Sequence, residues 1–440
     1  MNRTAVVALL GCGTVGAATA QHLLRNREAL AGKTGIDIDL RYIVDTNFDR
    51  ARSLGLDESL FESNLDTVLA DPEVITVIEL IGGTGIAKTL TEKILKAGKR
   101  VVTANKALLA HHGPELMAIA RDAGISISFE ASCGGGIPLL RAFYDGILPN
   151  RIDAFYGIVN GTCNYILTEM VQKGSSYEEC LTQAQADGLA EADPTLDVSG
   201  GDSSHKLAIM SSLAFGKRVE LDPIPVQGID ELKLFDLNFG RELGYVIKLL
   251  AIAQREEEGL SLRVRPAFIS TEHPLAWVSG PFNAVSVYGD AVGHTMYYGR
   301  GAGGSPTASA VIADLVASCI GTADTTFSTL NIWPDRTEAA LQLPPEEIQG
   351  RYYVRLMVED KPGVFARIAT ILGEHQISLS SVLQKEPHRI HPDAVPVVIT
   401  THRVREGDLR NALNTLDALP VVLQPSVSIE IVDEHEEELA

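Results

Sequence analysis

The run Gly11-Cys12-Gly13-Thr14-Val15-Gly16 spaces three glycines as GxGxxG. In that pattern the first glycine allows a tight turn, the second lets backbone approach a pyrophosphate, and the third lets a helix pack closely on its strand, with phosphates at the helix's positive end. The match alone is weak, since a structural glycine-rich turn has the same letters. Its context adds to it: an apolar run, Ala5 to Leu10, comes directly before, and helical periodicity, Thr14 to Leu30, directly after. A further alternating run ends at Val44-Asp45, which places Asp45 to accept hydrogen bonds from an adenosine ribose, although the loop before its strand makes the spacing longer than usual. The alternative is a capping aspartate. Gly82-Gly83 follows another apolar run and would pass under the same ligand, or else is only a turn.

Lys106 closes Val101-Val102-Thr103-Ala104-Asn105-Lys106, at the C-terminal end of a strand, where open α/β sheets place ligands. Most lysines there are merely solvated. A second cluster runs from Gly188-Leu189-Ala190-Glu191-Ala192-Asp193 through Asp197 to Gly200-Gly201-Asp202-Ser203-Ser204-His205-Lys206. A helix starting near Asp202 puts Asp202 and Lys206 on one face, four residues apart, with the acid at the favourable N-terminal end. An exposed ion pair on a capped surface helix fits this spacing. So does a polar ligand site, because the acids crowd around loop glycines in an otherwise uncharged stretch.

The elements that must position these residues follow from periodicity. Strands are expected over Ala5–Leu10, Ile36–Val44, Val74–Ile81, Arg100–Ala104 and Ile125–Ala131, with helices over Thr14–Leu30 and Ile86–Ala97 and another starting near Pro114. Such alternation means βαβ units and a parallel sheet covered on both faces. We assign residues 1–135 to this domain and 136–315 to an α+β substrate and dimerisation domain, with a segment near 305–330 returning to the first. The Pro- and Glu-rich stretch 337–350 has a linker composition. Beyond it, residues 351–432 read as βαββαβ, a ferredoxin-like unit. The acidic tail Asp433 to Glu438 reads as a solvated end.

The chain has 440 residues, enough for about three domains, and 57 acidic against 37 basic residues, a net charge of −20. So acidic a surface argues against nucleic acid or an anionic membrane as partner and favours a small molecule. Five scattered cysteines without a CxxC pair read as reduced thiols, which fits a cytoplasmic protein. Ala5 to Leu24 is uncharged and Ala18-Thr19-Ala20 imitates a signal-peptidase site, but Gly11, Gly13 and Gly16 interrupt the run.

Asn160-Gly161-Thr162-Cys163-Asn164-Tyr165-Ile166-Leu167, the Glu191 to Lys206 block, Thr103-Ala104-Asn105-Lys106 and Gly301-Ala302-Gly303-Gly304-Ser305-Pro306-Thr307 together resemble homoserine dehydrogenase, from the first strand to about residue 330. The segment Asp360-Lys361-Pro362-Gly363-Val364-Phe365 resembles the ACT domain, a small amino-acid-sensing module. The resemblance implies reversible reduction of L-aspartate 4-semialdehyde to L-homoserine with NAD or NADP, in threonine, methionine and isoleucine biosynthesis. It further implies Lys206 as proton donor, Lys106 beside cofactor and substrate, Glu191, Asp197 and Asp202 as substrate-binding acids, and Gly188 and Gly303 as backbone positions at the cofactor. Glu130 with the carbonyls of Cys133, Gly135 and Ile137 matches a monovalent-cation site suited to sodium; a glycine hinge between domains is the plainer reading of that run. The module implies L-threonine as effector and a homodimer or homotetramer. Cys163 stands where the family usually has a hydroxyl, Ser203-Ser204-His205 replace small apolar residues, and Val44 lacks a nearby basic side chain usual for NADP, although Arg50 is close. Two other readings are another amino-acid-pathway dehydrogenase with the same module, and a non-catalytic amino-acid sensor on a dinucleotide-binding scaffold.

Overall fold

A computed structural model describes residues 3–384 and 394–435; the end of the acidic tail lies outside the described residues. Six strands, β1 (Arg3–Leu10), β2 (Ile36–Val44), β3 (Phe61–Glu62), β4 (Val74–Glu79), β5 (Arg100–Thr103) and β6 (Ile127–Ser128), form one sheet in the order β3-β2-β1-β4-β5-β6. Every pairing is parallel. β1 is buried over its last six residues, as expected of a strand covered on both faces. The order reverses between β1 and β4, which opens a crevice beyond their C-terminal ends. Helix Gly304–Ile320 returns to this layer, packs on helix Thr14–Arg25, and puts Val311 and Leu315 into the core with Ala5, Val7 and Leu9.

The second sheet holds β7 (Ile152–Ile158), β8 (Tyr245–Glu256), β9 (Gly259–Ser270), β10 (Phe282–Gly289) and β11 (Gly293–Arg300), all antiparallel neighbours in the order β11-β10-β7-β8-β9. The C-terminal unit supplies β12 (Gln349–Glu359), β13 (Leu379–Gln384), β14 (Ala394–Thr401), the short β15 (Val404–Arg405) and β16 (Val422–Val432), with helices Val364–Glu374 and Glu406–Asp417. This is βαββαβ, and Ile368, Leu372, Leu409 and Leu416 pack onto Val354, Leu356, Val397 and Ile399. β16 also pairs in parallel with β9, so the unit continues the second sheet rather than forming a separate one. Buried ion pairs reinforce the seam. Arg263, 2% exposed, pairs with Glu430, and Arg355 pairs with Asp236, which also accepts from the Tyr353 hydroxyl at 2.9 Å.

Four elements differ from expectation. The first helix breaks at Asn26 and resumes over Arg27–Thr34. The helix expected near Pro114 begins at Lys106 and runs to Asp122 with Pro114 inside it. Its true start is marked by Asn105, whose side chain accepts from the Leu108 amide at 3.1 Å. The last expected strand of the first sheet shortens to β6, because residues 130–132 tighten into a 3₁₀ turn. The stretch 337–350 is a strap held by backbone bonds: Ala340 N–H to Arg218 O at 2.8 Å, and Leu343 N–H to Leu260 O at 2.9 Å. No single helix among the described residues is long and apolar enough to cross a membrane.

Candidate active site

Two of the three glycines of the first loop sit where a side chain has no room. Gly11 has φ +96°, and a Cβ there would lie 2.7 Å from the Leu80 carbonyl; at Gly16 it would lie 1.9 Å from Gly11 O. Nothing lies within 4 Å of a Cβ built at Gly13. Thr14 and Val15 open the helix that Gly13 caps, without a side-chain cap. Helix Gly304–Ile320 starts beside it: its N-cap Gly303 has φ +113°, and a Cβ at Gly304 would meet Thr14 O at 3.1 Å. Two helix N-termini with free amides thus converge on one open loop, an arrangement that stabilises an anion. Gly82 and Gly83, with φ +82° and +71°, form the turn after β4. Asp45 is already engaged: it accepts from the amides of Cys12, Thr46 and Asn47. It therefore ties the end of β2 to the glycine loop.

The two lysines meet at one carboxylate. Asp202, 4% exposed, pairs through Oδ2 with Lys206 Nζ at 2.7 Å and through Oδ1 with Lys106 Nζ at 3.0 Å. The shared helical face expected of Asp202 and Lys206 is what forms, buried rather than on the surface. Lys206 also donates to Val159 O at 2.6 Å, so two of its three N–H groups are used. Its side chain is 10% exposed and that of Lys106 33%, so Lys106 is the more open. Asn160 joins the acids, giving one N–H to Asp202 at 2.9 Å and the other to Asp197 at 2.8 Å. Burial disfavours the charge on Asp202, but the two ammonium groups prevail and hold it well below the usual carboxylate range. On Lys106 burial is likewise outweighed, by Asp202, and its ammonium sits above the ordinary lysine value. Asp197 moves the other way, pushed up by burial and then by Asp202.

The Cys163 thiol donates to Asp197 O at 3.2 Å, and burial pushes it well above the usual thiol range. Glu191 is on an exposed loop after Gly188 (φ +71°), and among the described residues its carboxylate makes no hydrogen bond or ion pair. The structure does not join it to the lysines as it joins Asp197 and Asp202.

Glu130 is buried and accepts from the amides of Leu140 and Arg141 at 2.9 and 2.8 Å. Burial, then Asp314, push its carboxyl up to about 7. Gly135 has φ +52°, and a Cβ there would lie 2.5 Å from Gly301 O, so this glycine run packs directly on the loop leading to Gly303. Among the described residues no hydrogen bond reaches the carbonyls of Cys133 or Gly135, whereas Ile137 O accepts from Leu139 N–H at 2.8 Å. Carbonyl oxygens left without a hydrogen bond are donors of the kind a hard monovalent cation takes; the Cys133 thiol, pushed up to about 12 by burial, offers no thiolate. No cluster of three His, Cys, Asp or Glu side chains able to hold a metal occurs among the described residues.

Asn160, Thr103, Asn105 and Glu79 were not singled out from sequence. Asn160, Thr103 and Asn105 lie within the motifs that carry the family resemblance, and Glu79 has a readable signal, an acid inside the apolar run Val74 to Ile81.

A parallel sheet with this glycine loop and a lysine pair at its crevice defines a dinucleotide-dependent oxidoreductase. Residues 11–130 match the family model of the homoserine dehydrogenase NAD-binding domain, 138–316 that of homoserine dehydrogenase, and 352–421 that of the ACT domain. The chain is 42% identical to a homoserine dehydrogenase of Pseudomonas aeruginosa, over 97% of this chain and 98% of that one, and 39% identical to one of Bacillus subtilis, over 94% and 95%. Its structure is similar to that of a homoserine dehydrogenase from Thiobacillus denitrificans, with TM-score 0.92, 41% identity and coverage of 98% and 99%. The S. aureus enzyme at pH 7.5 gives 0.76, 30%, 98% and 100%. The chain belongs to the homoserine dehydrogenase family and carries a C-terminal ACT domain. The expected fold class and enzyme class are borne out.

Proposed function

We propose that this enzyme interconverts L-aspartate 4-semialdehyde and L-homoserine with NAD(H) or NADP(H), with Lys206 as the proton donor. The observation that carries the reading is Asp202 holding Lys106 and Lys206 together at the mouth of the crevice. The nicotinamide supplies hydride when bound. The alkoxide this leaves needs a proton, and the one N–H of Lys206 not given to Asp202 or Val159 serves it. Lys106, more open and firmly charged, orients the same oxygen from the cofactor side. Asp197 and the exposed Glu191 receive the substrate ammonium. Gly11, Gly13, Thr14, Val15 and Gly16 hold the pyrophosphate with Gly303, and Gly82-Gly83 and Gly188 border the cofactor. Glu130 and the carbonyls of Cys133, Gly135 and Ile137 hold a monovalent cation such as sodium, which steadies the joint beside the site.

The ACT domain binds L-threonine at the turn before helix Val364–Glu374, in a homodimer or homotetramer, within a cytoplasmic biosynthetic pathway. An assembly role alone is the alternative. Oxidation of NAD(P)H at 340 nm with aspartate semialdehyde, against a control lacking it, tests the reaction. Lys206→Ala should abolish turnover while coenzyme still quenches protein fluorescence; a near-wild-type rate would remove Lys206 from the mechanism.

A further inference from the structure

Glu79 is the last residue of β4 and is fully buried. Among the described residues no Lys, Arg or His lies within ion-pairing distance of it. Its partners are neutral donors from two places. Oε1 accepts from the Ile81 amide at 2.9 Å, at the start of the Gly82-Gly83 turn. Oε2 accepts from the Thr103 hydroxyl at 2.6 Å, on the neighbouring strand. The Thr103 oxygen in turn accepts from the Asn105 amide at 2.9 Å. Asn105 then acts in two directions: its Nδ2 donates to Gly83 O at 2.8 Å, and its Oδ1 caps the helix that begins at Lys106. The chain of bonds closes a ring from the turn, through Glu79, Thr103 and Asn105, back to the turn.

A carboxylate buried among neutral donors is costly unless both oxygens are satisfied, and here both are. Four of the groups it fixes belong to backbone at the crevice: the 81–83 turn and the first residues of the Lys106 helix. We propose that Glu79 is a positioning residue for hydride transfer, which sets the distance between the turn beneath the cofactor and the ammonium of Lys106. The proposal rests on the roles given above to Gly82-Gly83 and Lys106. A leucine of similar size would fill the space but release both arms of the ring.

Glu79→Gln, Thr103→Val and Thr103→Ser, read with Lys106→Met in the full-length enzyme, test it. Glu79→Gln keeps the shape but turns one acceptor oxygen into a donor, so with the other oxygen still on the Ile81 amide the Thr103 hydroxyl hydrogen loses its acceptor. A buried hydrogen bond lost in this way corresponds to about a tenfold effect or more. We expect Glu79→Gln and Thr103→Val each to lower kcat and raise the coenzyme KM by about tenfold, with a larger deuterium isotope effect from 4-deuterated coenzyme. The double variant should be no worse than either single one, because the two break one ring. Thr103→Ser, which keeps the hydroxyl, should restore wild-type kinetics. Lower thermal stability with unchanged kcat, KM and isotope effect in Glu79→Gln and Thr103→Val, beside a Lys106→Met that has lost turnover, would overturn the proposal alone. Full activity of Lys106→Met would overturn the site reading beneath it. Should Glu79→Gln fail to fold, the Thr103 pair carries the test by itself.

Discussion

Lys106 is the first residue of the helix that links β5 to β6 of the parallel sheet, Asp202 lies in the first turn of a helix packed on the second sheet, and the two are joined at 3.0 Å. The same aspartate holds Lys206 at 2.7 Å. One carboxylate therefore sets the place of both ammonium groups, and it favours the charge on Lys106.

Asp202→Asn removes that anion. Lys106 then loses the interaction that outweighs its burial, so its ammonium is lost at lower pH than in the wild type. Lys106 orients the reacting oxygen as a cation, so reduction should fade sooner on the alkaline side than in the wild type. Turnover should drop on the order of 10²-fold, with a stability loss of about 3 kcal/mol from ammonium groups left without a counter-charge. A pH–rate profile superimposable on the wild type would show that Asp202 does not govern the lysines.

Alanine at Gly16 and at Gly13 should fail differently. At Gly16 the Cβ meets Gly11 O at 1.9 Å, so helix and loop must separate and the melting temperature should fall by several degrees. At Gly13 the Cβ meets nothing, so the fold should hold while coenzyme affinity drops about tenfold or more. Calorimetric melting with coenzyme titration distinguishes them; unimpaired coenzyme binding in Gly13→Ala would place the pyrophosphate elsewhere.

We expect Asp45 to face the adenosine ribose and repel a 2′-phosphate, so NAD(H) should be used at least as well as NADP(H). Because Asp45 also holds the Cys12 amide, Asp45→Ala should weaken both coenzymes and NAD(H) more. kcat/KM for each decides it: a large preference for NADPH in wild type and variant alike would mean that Asp45 does not face the ribose.

The Glu130 carboxyl, at about 7 in the fold against 4.5 ordinarily, is protonated in the native state where it is ionised in the unfolded chain. Its contribution to stability is complete below the unfolded value and is lost as pH rises through about 7. The melting temperature should therefore fall from pH 5 to 8, and Glu130→Gln should flatten that part of the slope. A cation at the carboxylate opposes the loss, so sodium chloride should raise the melting temperature at pH 8, but not at pH 5, relative to choline chloride. Equal curves in the two salts would remove the cation site.

L-Threonine should inhibit the full-length enzyme and release or absorb heat on binding. Removing the domain is the wrong control here, since it would strip β9 of β16 and leave Arg263 without Glu430. The intact chain decides: no change in rate and no heat would leave the domain an assembly role only.

The glycine loop, the alternation of strands and helices in the first domain and the βαββαβ unit are legible because each rests on local periodicity and turn chemistry. Asp202 with Lys206 was legible too, as a four-residue spacing. Lys106 joining them was not, since nothing local tells that two helices from different sheets start at one point. The Lys106 helix was expected too late because Pro114 has the letter of a helix start, whereas Asn105, a good N-cap that sits at the end of a strand motif, marks the real one. The strap at 337–350 has the composition of free chain, and its backbone pairing depends on Arg218 and Leu260, remote positions that no window of sequence includes.

The pairing of β16 with β9 also bears on how the chain is made. A ribosome releases residues in order, so β9 emerges long before β16, the last strand of the described chain. Until then β9 presents an unpaired edge and Arg263 awaits its counter-ion, an exposed state open to wrong pairing with another chain. The catalytic half cannot pair the outer edge of β9 until the ACT domain's last strand has emerged. The final strand therefore works as a seal on the nascent enzyme, and a polypeptide cut short of Glu430 would be left with an aggregation-prone edge.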